Sequence, residues 1–158
     1  MPSHTAAPPA TLLQHGARIL LGAALLFAGT SHLAWARAEF QAQVPTWLPL
    51  DPDLVVILSG VVELALGAAL AFFPRRRVQA GWATAAFFVL IFPGNVSQYV
   101  RGVSAFGLDT DRARLVRLFF QPVLVAWALW STGAWTAWRS ARRARPGAAP
   151  GGAPEWRR

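Results

Sequence analysis

The chain has 158 residues, 15 basic against 7 acidic, no cysteine, and 54% hydrophobic but only 14% charged side chains. A soluble domain carries about 25% charged residues, so too few polar groups remain here to cover a water-facing surface. The absent thiols exclude disulfides, thiolate metal sites, iron–sulfur clusters and a dithiol redox cycle within the chain.

In chain order, residues 1–16 carry no apolar run and are expected to be unstructured. Four long apolar stretches follow, at 19–36, 54–73, 78–100 and 118–138, with Glu63 as their only formal charge. A bilayer core of about 30 Å needs about 20 helical residues, which these stretches meet or approach. The expectation is an all-α polytopic membrane protein, a four-transmembrane-helix bundle over residues 17–138. Between the first two spans lies Val44-Pro45-Thr46-Trp47-Leu48-Pro49, too proline-rich for a continuing helix. Pro74-Arg75-Arg76-Arg77 makes a tight turn, and Asp109-Thr110-Asp111 a turn or cap before the fourth span. Residues 139–158 form a basic Arg, Pro, Gly and Ala tail, expected to be disordered beyond its first turn. Ala34-Trp35-Ala36 has the small-x-small form of a secretory cleavage site, but only Arg18 flanks the preceding run, so an uncleaved span is the better reading.

Four spans put both termini and the second loop on one side. That side holds ten arginines, the other five, facing Glu39, Asp51, Asp53, Asp109 and Asp111. The positive-inside rule therefore puts both termini in the cytoplasm. Arginine as the sole strong base, with abundant alanine, points to a GC-rich bacterial gene and hence to the bacterial inner membrane. The basic excess is juxtamembrane and suits anionic lipid headgroups rather than nucleic acid.

Polar side chains inside spans are costly and normally face the bundle interior. The candidate pocket residues are His32, Trp47, Ser59, Glu63, Asn95, Arg117 and Gln121. Ser59, Glu63 and Gly67 recur every four residues on one helical face. Gly22, Leu25, Gly29 and His32 form a second stripe, whose glycines permit close helix approach. Helical rise puts these polar groups in the outer half of the bilayer, giving one outward-open pocket roofed by residues 45–49. Pro93 leaves the Val89 carbonyl without its helical donor, and Pro122 does the same to Leu118 if it lies inside a helix. Blander roles stand beside each: hydrogen-bonding glue for Asn95 and Gln121, kinks for the prolines, packing for His32, snorkelling for Arg117 and an interface anchor for Trp47. Glu63 is too deep to snorkel. His32 and Glu63 alone are too few ligands for a metal.

The order and spacing of several pieces resemble the DoxX family of small four-helix membrane proteins. They are Arg18-Ile19-Leu20-Leu21-Gly22, Phe27-Ala28-Gly29, Ser31-His32, the Pro45 to Pro49 segment, Ser59-Gly60-Val61-Val62-Glu63-Leu64, Gly67, Phe92-Pro93-Gly94-Asn95 and Arg117-Leu118-Phe119-Phe120-Gln121-Pro122. Phe119 stands where the family often has a proline. The resemblance implies a membrane component of a redox system, since some relatives are subunits of thiosulfate:quinone oxidoreductases and others are proposed to associate with thiol-stress enzymes. Quinone, or a small reduced sulfur species, would then be the bound substrate, and a soluble or membrane redox protein the partner. In that reading His32 and Glu63 relay protons, Arg117 attracts an anion, and Asn95 and Gln121 orient the ligand. No cofactor motif is present in the chain, so it would act as a subunit of an oxidoreductase rather than as a self-contained enzyme. A transporter or small-molecule binding protein, or a membrane scaffold for a partner, are the alternatives. Oligomeric state is left open.

Overall fold

The computed structural model describes residues 9–143. The elements are α1 (Leu12–Leu33), α2 (Arg37–Gln41), α3 (Pro52–Phe72), a 3₁₀ turn (Pro74–Arg76), α4 (Arg77–Arg101), α5 (Asp111–Ser131) and α6 (Ala134–Arg143). Four helical segments, Leu12–Leu33, Pro52–Phe72, Pro74–Arg101 and Asp111–Ser131, are long and apolar enough to cross a membrane. Their outward faces carry Phe27, Val89, Leu90 and Phe119, each more than 60% exposed. Such faces need lipid to cover them. The protein is an all-α, multi-pass membrane bundle of four spanning helices.

α1 packs chiefly on α3, and α4 on α5; contacts of α1 with α5 and of α3 with α4 join the two hairpins. Leu21, Leu25, Leu70, Phe87, Phe88 and Ala128 form the core between them. The turn Pro74–Arg76 and the start of α6 lie with the start of α1 at one end, the terminal end. The segments 34–51 and 102–110 meet at the other, the loop end, where Arg101 Nη2 donates to Ala42 O at 2.8 Å.

Three boundaries differ from the sequence expectation, each for a local reason. α1 begins at Leu12, so residues 12–16 of the segment expected to be unstructured are helical. A reciprocal cap starts it: Gln14 N donates to Thr11 Oγ1 at 3.2 Å, and Thr11 N donates to Gln14 Oε1 at 3.0 Å. α5 begins at Asp111, seven residues before 118, because Thr110 accepts from Ala113 N as its cap. It stops at Ser131, since Gly133 takes a left-handed φ of 70°. Trp135 and Trp138 therefore belong to the separate helix α6, which runs on through the first turn of the tail to Arg143. The rest of that tail, and residues 1–8, lie outside the described residues. Pro93 and Pro122 both sit inside continuous helices.

Candidate functional site

Glycines set the approach of α1 to α3. A Cβ built on Gly29 would meet Gly60 O at 2.6 Å, and one on Gly67 would meet Gly22 O at 2.7 Å. No larger residue fits there without pushing the backbones apart. His32 and Glu63 each lie three residues beyond a glycine of this seam, so the close approach carries the two side chains into contact. They are 5% and 6% exposed.

His32 Nδ1 stands 3.0 Å from Glu63 Oε2 and 2.9 Å from Ala28 O. The carbonyl can only accept, so this contact is a hydrogen bond in the tautomer that carries its proton on Nδ1. Glu63 Oε2 is buried without a hydrogen-bond partner among the described residues. The pair is thus a close approach whose hydrogen bond is not made. Phe40 of α2 stacks on the imidazole with ring centroids 3.3 Å apart, and Phe106 packs edge-on against Phe40 at 4.6 Å. Glu39 accepts from Phe106 N, which ties α2 to the 102–110 segment above the pair. Half-buried Arg117 lies within Coulombic reach of Glu63.

Asn95 and Gln121 form a second cluster between α4 and α5. Asn95 Nδ2 donates to Gln121 Oε1 at 3.0 Å, and Gln121 Nε2 donates to Phe88 O. Both side chains are at least 95% buried and satisfy each other. Above them Gln43 Nε2 donates to Gln98 Oε1 at 3.0 Å, and Gln98 in turn to Val103 O. The structure therefore brings His32 to Glu63 and Asn95 to Gln121, with Arg117 near the first pair. Ser59 is not drawn in: its hydroxyl donates to Val56 O of its own helix at 2.9 Å. Trp47 is 69% exposed and lines neither cluster. The cover over His32 is Phe40 rather than the 45–49 segment.

An apolar groove of about 690 Å³ opens between α4, α5 and α6, lined among others by Phe92, Pro122, Val125, Trp130 and Trp135. Gln121 reaches its wall. Among the described residues no three His, Asp or Glu side chains gather into a metal-binding group.

Two important side chains went unassigned by sequence reasoning. Phe40 gave no signal, because its place depends on the path of a loop. Arg18, 3% exposed, did: it lies one turn before Gly22 on the same α1 stripe that ends at His32.

No curated protein and no solved structure matches the chain. A family model described as a domain of unknown function matches residues 21–132, a range that takes in both clusters, the last three spanning helices and the second half of α1. The chain belongs to this family, the domain of unknown function DUF8561.

Proposed function

We propose that the protein is a DoxX-like membrane component of a quinone-linked redox system, acting in the bacterial inner membrane beside a redox partner. The observation that carries this reading is the orphan Oε2 of Glu63, buried 3.0 Å from an imidazole nitrogen. A buried carboxyl oxygen without a donor is poised to take a proton or to accept a hydrogen bond from a ligand head. The imidazole beside it passes protons between two ring nitrogens. Reduction of a quinone consumes a proton for each electron, so a membrane-embedded proton-handling pair suits that chemistry, with electrons supplied by the partner. The apolar groove along α5 has the volume to take an isoprenoid tail, with Trp130 and Trp135 in its wall. The mutual bonding of Asn95 and Gln121 favours a packing role for those two residues over ligand orientation.

Quinones quench tryptophan fluorescence, which gives the test. Titration of the purified protein with a short-chain quinone should quench saturably, and Glu63→Gln should weaken the apparent affinity about tenfold, the loss of one charge-assisted hydrogen bond. Glu63→Gln should keep a near-native melting temperature. Non-saturable quenching, or equal affinity in Glu63→Gln, overturns the reading.

A further inference from the structure

At the end of α5 the chain turns instead of continuing its helix. Gly133 takes a φ of 70°, and a Cβ on it would meet Arg77 Nη1 at 2.7 Å, so the turn needs glycine. Arg77 Nη1 donates to Thr132 O at 2.8 Å, and the Thr132 side chain occupies the space that Gly81 leaves open on α4. These contacts pin the start of α6 to α4, and α6 packs on both α4 and α5. The apolar groove of about 690 Å³ runs along α5 beside α4, with α6 at its terminal end.

The groove has the length of one half of a bilayer. Its inner end is at Phe92 and at Gln121, the midpoint of the 21-residue α5, and its outer end is at Trp130, Trp135 and Thr136. From Gln121 to Trp130 α5 rises about 14 Å, against about 15 Å for one leaflet of the hydrocarbon core. The Gln121 amide is already engaged by Asn95 and the Phe88 carbonyl, so the inner end suits the tip of a hydrocarbon chain.

The outer end is basic. Trp135, Arg139 and Arg143 recur every four residues, so the face of α6 that lines the groove continues outward as two exposed arginines. Ala134 is buried and Ala137 half-buried on the opposite face. Trp138 lies against Trp135 at 5.0 Å and carries Arg142 4.8 Å over its ring, an arrangement suited to the headgroup layer. α4 and α6 hold no acid, and the one acid of α5, Asp111, is at its loop end. No carboxylate of these three helices is at hand for Arg139 or Arg143.

We propose that the groove between α4, α5 and α6 binds an anionic phospholipid, with one acyl chain along α5 and the headgroup phosphate on Arg139 and Arg143. Length and charge complementarity together name this occupant. A neutral lipid would fill the groove and leave the arginines unused, and free phosphate would do the reverse. The site does not rest on the quinone reading, although a long isoprenoid tail would compete for the same groove.

The full chain, delipidated in detergent, would be melted with phosphatidylglycerol, with phosphatidylcholine of the same acyl chains, and with inorganic phosphate. Phosphatidylglycerol should raise the wild-type melting temperature by about 5 °C, at about tenfold lower concentration than phosphatidylcholine, and inorganic phosphate should leave it unchanged. Arg139→Gln with Arg143→Gln alters only exposed residues, so this variant should fold as before and respond to the two lipids alike. Ala126→Phe puts a ring into the groove from an exposed position and should abolish both lipid responses. Glu63→Gln should respond to lipid as wild type does, which separates a failure of this site from a failure of the quinone reading. Equal potency of the two lipids in wild type, a preference retained in the arginine variant, or a wild-type response in Ala126→Phe overturns the proposal. So does a rise with inorganic phosphate equal to that with lipid. A dimer that phosphatidylglycerol leaves intact and Ala126→Phe dissociates overturns it as well, since a second copy would then occupy the groove.

Discussion

Phe40 lies flat on the His32 imidazole, whose Cβ sits against Gly60, so one aromatic ring covers the face of this histidine. Phe40→Ala should leave the four spans folded, because Phe40 is only half-buried and lies outside them. It should raise the rate at which diethylpyrocarbonate modifies His32 several-fold, read by peptide mass spectrometry. An unchanged rate would show that other groups seal the site. The Asn95/Gln121 pair supports a different expectation. Gln121→Leu leaves the Asn95 amide buried without its acceptor and should cost about 1–3 kcal/mol of stability. Adding Asn95→Leu removes the orphan, so the double variant should melt above the single one in detergent. Part of this site was legible in the sequence. Glu63 stands out as the one acid in an apolar run, and His32 closes a glycine stripe. Extending that stripe by one turn reaches Arg18, so the burial of this arginine was legible as well. Ser59 was not readable from spacing, because whether a serine hydroxyl turns across the bundle or back to its own helix is a choice of rotamer.

The α1/α3 seam is the element that builds the site. Gly29→Leu would drive a branched side chain into the Gly60 carbonyl, part the two helices and separate His32 from Glu63. A loss of about 1–3 kcal/mol is expected, and it should appear as a lower melting temperature together with lost quinone quenching. Gly16→Ala is the control: a Cβ there meets nothing within 4 Å, so this exposed helical position should be neutral or slightly stabilised. The existence of all four spans was legible because twenty-residue apolar runs have few other solutions in a chain of this size. Their ends were not, because ends are set by individual caps. The Thr11/Gln14 box lengthens α1 into polar sequence, and Gly133 cuts an apolar run that continues to Trp138. A hydropathy pattern is insensitive to both.

At the scale of the whole molecule, the two ends differ in how their arginines are used. At the loop end, Arg37 lies 3.5 Å from Asp53, Arg114 is 2.8 Å from Asp111, and Arg101 donates to the Ala42 and Val44 carbonyls. Arg37 and Arg114 are paired with acids, and Arg101 is tied to backbone carbonyls, so these groups have less to offer a lipid surface. At the terminal end, Arg139, Arg142 and Arg143 are exposed on α6, beside the exposed Arg75 and Arg76 of the turn. The asymmetry in available positive charge is therefore steeper than the count of arginines suggests, and it favours a cytoplasmic terminal end. An export-dependent phosphatase fused after Arg143 should be inactive, and the same reporter inserted at Gly107 active. Changing Arg139, Arg142 and Arg143 together to Glu should weaken the bias and yield a mixed population, because those residues hold the exposed charge nearest the fourth span. The reverse pattern in the unmodified protein would turn the His32/Glu63 pair toward the cytoplasm. Protons would then have to reach it from that side, so the orientation measurement also decides which compartment a quinone bound there would draw them from.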